Sequence, residues 1–160
     1  MRPRDLESIL DVLKDMAKCE LTLAEFYRTC AQIWEEDKEF WLTLERQENI
    51  HAQNIDRMAE IISKEHECFE SYRPFNPAAI KTMISGIENN IRRLKSGEIS
   101  KNNVLFIARD IEQSLIEAKY GEIVKTNDIE YQQLVKKIVT QTVVHKGMID
   151  KKIAKVKNAR

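Results

Sequence analysis

Residues that can stop a helix are scarce in this chain, and that scarcity decides most of what it can fold into. Four glycines and three prolines serve 160 residues, whereas the two types make up roughly 12% of an average protein. A β-sandwich or barrel of this length needs many tight turns, which draw on Gly, Asn and Pro. A doubly wound α/β fold needs glycines at its phosphate loop and strand–helix joints. Long helices need neither. With 42% apolar residues for a core and 32% charged residues for wet faces, the chain suits long amphipathic helices and not disorder.

The apolar residues recur every three or four positions. Leu6, Leu10, Leu13, Ala17, Ala24 and Tyr27 predict a helix over about 5–34. Glu35, Glu36 and Asp37 mark a turn and the acidic start of a second helix, expected over about 36–64 with the stripe Trp41, Leu44, Glu48, His51, Ile55, Met58, Ile62. Residues 65–76 read as irregular. Asn76 as cap and Pro77 at the first position open a helix over about 77–95, which Ser96 and Gly97 stop. A third long helix is expected over about 100–126, and a fourth over about 128–156 with the stripe Leu134, Ile138, Thr142, His145, Ile149. The two short joins imply antiparallel hairpins, and the 65–99 stretch is long enough to cross between them. The expected fold is all-α: one domain over 1–160, a four-helix bundle of two hairpins joined by a long crossover that contains an extra helix.

Charge and cysteine usage narrow the partners. The 26 basic residues are balanced by 26 acidic ones, so no nucleic-acid partner is expected. The short basic runs Arg92–Arg93, Lys136–Lys137 and Lys151–Lys152 read as wet helix faces. Cys19, Cys30 and Cys68 form no Cys-x-x-Cys pair, which points to a reducing, cytoplasmic setting. Cys19 and Cys30 read as small apolar packers, Cys68 as an exposed thiol and His66 as a surface neighbour. Met1 to Leu6 carries no apolar leader run, and no segment reaches 18 uncharged apolar residues, so no membrane association is expected.

Several residues break the pattern where the core should be. Glu20 lies on the first stripe, Glu48 and His51 on the second, Glu112 beside Leu105, Ala108 and Leu115 on the third, and His145 on the fourth. A buried carboxylate must be paired, protonated or bound to a metal. Carboxylate oxygens and imidazole nitrogens converging from several helices suit Fe, Mn or Zn. A weak internal repeat reinforces this. Glu20, Leu23 and Glu25 lie over Glu112, Leu115 and Glu117, and Glu48-Asn-Ile-His51 lies over Thr142-Val-Val-His145. The halves differ at one place: Thr142 stands where the repeat calls for a carboxylate. Two divalent ions need about four carboxylates for charge balance, and Glu20, Glu48 and Glu112 supply three. Gln141, Glu117 and Glu45 are the neighbours that could substitute.

These residues resemble the ferritin-like superfamily, most closely its rubrerythrin-type diiron domain. The family pattern is a Glu on the first helix, Glu-x-x-His on the second, a Glu on the third and Glu-x-x-His on the fourth. It lies over Glu20, Glu48 with His51, Glu112, and Thr142 with His145, with Thr142 as the departure. The resemblance implies metal ligands at Glu20, Glu48, His51, Glu112 and His145. It implies two iron ions where the site is functional, with a single ion, Mn or Zn, or no metal as the other outcomes. It further implies a homodimer, and ferrous-iron oxidation or peroxide reduction, weakened here by the missing bridge. Rubrerythrins carry an additional Cys-x-x-Cys iron module that this sequence lacks, so redox activity would require an external electron donor. The competing expectation is a metal-free or metal-poor helical scaffold whose Glu and His residues satisfy one another. Tyr27 reads mainly as core packing, Trp34 and Trp41 as the closure of one bundle end, and Thr142 as a packed threonine bonded back to its own helix.

Overall fold

Pro3 opens the first helix, at a position where its missing N–H is no loss, and the chain stays helical to Ile33 (α1, Pro3–Ile33). In the computed structural model, which describes residues 1–159, a short 3₁₀ turn at Glu35–Asp37 leads into α2 (Lys38–Lys64). Every residue of the stripe from Trp41 to Ile62 is buried. A three-residue strand follows (β1, Phe69–Ser71). Asn76 Oδ1 then accepts the Ala78 N–H at 3.0 Å and starts α3 (Pro77–Lys95). Gly97 ends this segment at φ 72°, the left-handed region that glycine enters at no steric cost. Next come α4 (Asn103–Ala118), a strand (β2, Val124–Thr126) and α5 (Ile129–Asn158). Asp128 Oδ1 caps α5 by accepting the Tyr131 N–H at 2.7 Å.

Contacts between helices give their directions. Lys152 Nζ, late in α5, donates to Asp37 Oδ1 just before α2 at 2.6 Å. Arg57, late in α2, donates to both oxygens of Glu130 at the start of α5, at 2.7 and 3.0 Å. The two helices are therefore antiparallel. So are α4 and α5, since Lys157 lies over the Phe106 ring at 5.6 Å while Gly121 packs on Val135. Helix α3 packs on α1 and runs with it: Lys95 reaches Glu25 at 4.0 Å, and Phe75 shares a surface cleft with Val12. The architecture is all-helical apart from one small sheet.

That sheet corrects the expected third helix. It was to run to about 126, but α4 ends at Ala118. Lys119 turns out of it at φ 52°. A 3₁₀ turn (Tyr120–Glu122) and β2 follow, with β2 antiparallel to β1 in the register Phe69↔Thr126, Glu70↔Lys125, Ser71↔Val124. Residues 65–76, expected to be irregular, thus contribute a strand. Ile116, Tyr120 and Ile123 keep a helical spacing of four then three, which explains the misreading. Two local facts override it. Ile123, Val124 and Thr126 are β-branched and favour extended backbone. A Cβ on Gly121, expected late in the helix, would lie 2.3 Å from Val135 Cγ1, so only glycine allows this close approach. The pairing ties the two long connections together and seats Phe69 edge-on against Tyr131 at 5.1 Å.

A single apolar core runs through all five helices. Cys19 and Cys30 lie inside it and Cys68 is exposed. Among the described residues no helix is long and apolar enough to cross a membrane.

Candidate metal centre

Five ionisable side chains meet in the middle of this core, from four helices. Glu20 (α1) and Glu48 (α2) are 1% exposed, and His51 (α2), Glu112 (α4) and His145 (α5) are fully buried. Their helices put them there because each stands on the buried stripe, one or two turns from Leu, Ile or Met residues whose burial fixes the helix's rotation.

Glu48 is the hub. Its Oε2 lies 3.0 Å from His51 Nδ1, and its Oε1 lies 2.7 Å from His145 Nδ1. The imidazoles stack at 5.3 Å with 18° between their planes. Donor atoms of Glu48, His51 and His145 all fall within 4.8 Å of one another. Glu112 joins through Oε1, which is 3.7 Å from His145 Nδ1 and accepts the Tyr27 hydroxyl at 2.5 Å. Glu20 stands outside the tight trio. It borders a mainly apolar pocket, together with Thr142, that opens to solvent beside the exposed Lys119 and Val139.

Both histidines are aimed from behind. His51 Nε2–H donates to Gln141 Oε1 at 2.7 Å, and His145 Nε2–H donates to Gln47 Oε1. Each glutamine stands four residues before the histidine of its own helix and holds the histidine of the other. An amide oxygen on Nε2 leaves Nδ1 facing the carboxylates, the arrangement that orients a metal-binding imidazole. Sequence reasoning missed this clamp. The signal was present: the internal repeat extends one residue further back, as Gln47-Glu48-x-x-His51 over Gln141-Thr142-x-x-His145.

The candidate substitutes for the missing carboxylate fall away. Gln141 is the His51 clamp. Glu117 is exposed and accepts from Gln113 at 2.9 Å. Glu45 faces Arg28 at 4.0 Å. Thr142 is buried and donates its hydroxyl hydrogen to Ile138 O at 2.8 Å, as expected of a back-bonded core threonine. Tyr27, read mainly as core packing with a place beside the polar centre as the alternative, does both. It stacks on Trp41 at 5.7 Å, and its hydroxyl serves the polar centre.

Three carboxylates at close quarters cannot all ionise without help. Burial and the neighbouring Glu48 charge hold Glu20 protonated well above the usual carboxylate range. Burial and the Glu48 charge also push Glu112 up to about 7, against the pull of His145 and Tyr27. Burial would raise Glu48 too, but hydrogen bonding from His145 and His51 outweighs it and holds Glu48 down at about 2. Burial would lower His145, yet Glu112 and Glu48 overcome it and push this imidazole up to about 9. Protons are thus the counter-charge that holds the bare cluster together.

The pairing is incomplete. Glu20 Oε2 and Glu112 Oε2 are buried without a hydrogen-bond partner, and Glu48 Oε1 and His145 Nδ1, 2.7 Å apart, have only each other. An unsatisfied buried polar atom costs roughly 1–3 kcal/mol. Two such oxygens beside the Glu48–His145 pair, with all four atoms carboxylate oxygen or imidazole nitrogen and drawn from four helices, fit a cation held between them. No protein-family model matches the chain, and no curated protein or solved structure matches it.

Proposed function

We propose that this chain is a non-haem metal protein of ferritin-like, rubrerythrin-related type that binds iron through Glu20, Glu48, His51, Glu112 and His145. The observation that carries the reading is the convergence of buried carboxylate and imidazole groups from four helices, with Glu20 Oε2 and Glu112 Oε2 left without a partner beside the Glu48–His145 pair. The antiparallel α2–α5 and α4–α5 pairs and the long helical crossover support the bundle topology this requires.

Bound iron would supply the electrons for reducing dioxygen or peroxide, and the chain's own residues set the conditions. Glu48, with one oxygen toward each imidazole, is the carboxylate that two ions could share. Glu20 and Glu112 flank it as outer ligands. Gln47 and Gln141 keep both imidazoles turned inward. The Tyr27 hydroxyl donates to Glu112 Oε1 and can hold or pass a proton there. Trp41, Leu44, Ile55 and Met58 keep bulk water out. Three carboxylates would under-neutralise two divalent ions, so a second ion would be held more weakly and any turnover would be slow.

The test is elemental analysis after anaerobic Fe²⁺ loading, on wild type and Glu48→Ala. Wild type should retain iron through desalting, and Glu48→Ala should retain none. Equal retention would show that the centre lies elsewhere. A second reading, a metal-poor scaffold, draws on the internal pairs Glu48–His51, Glu48–His145 and Tyr27–Glu112. Protein purified without chelator and found free of transition metals would favour it.

A further inference from the structure

The pocket where α4 ends against α5 is walled mostly by hydrocarbon, from Met16, Met58, Leu115 and Ile138, and opens to solvent beside the exposed Lys119 and Val139. One acid borders it. Glu20 is 1% exposed, and its Oε2 is buried without a hydrogen-bond partner. Thr142 and Tyr120 also border the pocket, but their hydroxyl hydrogens are committed, Thr142 to Ile138 O at 2.8 Å and Tyr120 to Met83 Sδ at 3.8 Å. Away from the mouth, the polar side chains on the lining are therefore acceptors in need of a donor. The last turn of α4, which includes the lining residues Leu115 and Ile116, carries no basic residue. Carbonyl groups at a helix C-terminus present partial negative charge.

We infer that this pocket binds an apolar molecule carrying one amino group, its hydrocarbon against the α4–α5 walls and its nitrogen donating to Glu20 Oε2. The site does not rest on the metal reading and shares only Glu20 with it. The walls select the hydrocarbon body, since apolar surface gains by leaving water. The orphaned oxygen selects a donor at the inner end, because a buried acceptor without one is costly. Charge selects the amine among donors. Behind Glu20 the cluster holds three carboxyl groups against two imidazoles, and the end of α4 adds its carbonyls. A carboxyl oxygen accepts from an ammonium whether or not the acid is ionised, and such charge-assisted bonds are the stronger kind. A hydroxyl head would donate without bringing positive charge. A carboxylate head would meet Glu20 with no donor at that depth and be buried unpaired. Lys119 stands at the solvent end, where water and salt screen its charge from the inner nitrogen.

The experiment is a methyl NMR titration of the full, metal-free chain with benzylamine, benzyl alcohol and benzoate, which share a ring and differ in their heads. Benzylamine should shift the methyl signals of Met16, Met58, Leu115 and Ile138 to saturation. It should bind about tenfold or more tightly than benzyl alcohol, the margin of a hydrogen bond to a charged group over a neutral one. Benzoate should bind weakest of the three. Glu20→Leu, which removes the acceptor, should abolish the preference for benzylamine. Should that variant not fold, the order of the three heads on the wild-type chain decides by itself. Benzyl alcohol or benzoate binding as tightly as benzylamine overturns the inference. So do methyl shifts that leave these four residues unmoved, and a folded Glu20→Leu chain that keeps the full preference. Because the chain is metal-free throughout, each of these failures leaves the metal reading standing. A chain that binds benzylamine as expected but retains no iron loses the metal reading and keeps this one.

Discussion

The hairpin formed by α1 and α2 and the one formed by α4 and α5 carry the same polar plan in different states of completion. The first supplies Glu20, Gln47, Glu48 and His51 from two uninterrupted helices of 31 and 27 residues. The second supplies Glu112, Gln141, Thr142 and His145, and its α4 stops after 16 residues at a left-handed Lys119. The glutamine clamps survive in both halves, each holding the other half's histidine. The second has Thr142 where the first has Glu48, and a pocket adjoins Thr142. Aiming the ligands and balancing their charge are thus separate tasks in this centre. The second hairpin performs the first of them and only part of the other.

The largest effect expected from breaking this arrangement is at Glu48. Glu48→Ala removes the carboxylate facing both imidazoles and should abolish metal retention, read by elemental analysis. Glu112→Ala removes a carboxylate that the proposal places at the edge of the centre and should weaken retention without ending it. Equal effects would mean that Glu48 is not the hub.

The clamps come next. Gln47→Leu and Gln141→Leu should each weaken metal binding by about 10- to 100-fold, the usual cost of losing an outer partner of a ligating histidine. Calorimetric titration of the two variants reads this directly. Similar losses would sharpen the pseudo-twofold picture, and a loss at only one would break it.

A smaller effect is the pH dependence of the metal-free chain. Glu112 is raised to about 7 and His145 to about 9. Both groups bind protons more tightly folded than unfolded, so the stability they contribute is present in acid and lost as pH rises. Glu112 gives up its share between its unfolded value near 4.5 and about 7, and His145 between about 6.5 and about 9. Glu48 has the opposite sign, contributing above 4.5 and losing it as pH falls toward about 2. Metal-free protein should therefore melt highest near pH 5 and progressively lower toward pH 9, in a thermal scan across that range. Bound metal replaces the protons and should flatten the slope. A melting temperature that rises from pH 5 to 9 without metal would contradict the proton-balanced cluster.

The smallest effect belongs to the turn after α4. Gly121→Ala sets a methyl against Val135 and should cost about 1–3 kcal/mol of stability by overpacking, measured by denaturant titration. The equivalent change at Gly86 or Gly147, which lie inside helices with open space around them, should instead stabilise by about 0.5–1 kcal/mol.

Which parts of this were legible in the sequence follows from what each depends on. The buried stripe from Trp41 to Ile62 and the inward Glu20, Glu48, His51, Glu112 and His145 follow from helical periodicity, a local property. The end of α4 does not. Tyr120 and Ile123 fit a helix as well as a turn, and the deciding contacts, Gly121 on Val135 and β2 on β1, join residues far apart in the chain. Gln47 and Gln141 lie a step off their stripes, and neither shows its histidine partner until the opposite helix is in place. Tyr27 shows its ring in the periodicity but not its hydroxyl, whose partner Glu112 is 85 residues away.

The central claim, a metal centre built unequally from two halves, is tested most directly by counting. An anaerobic Fe²⁺ titration of the wild-type chain in carboxylate-free buffer, followed by calorimetry and checked by elemental analysis, should resolve one tightly held iron and a second, weaker one. Two irons of equal, tight affinity would contradict the inequality, and no bound iron would contradict the centre itself.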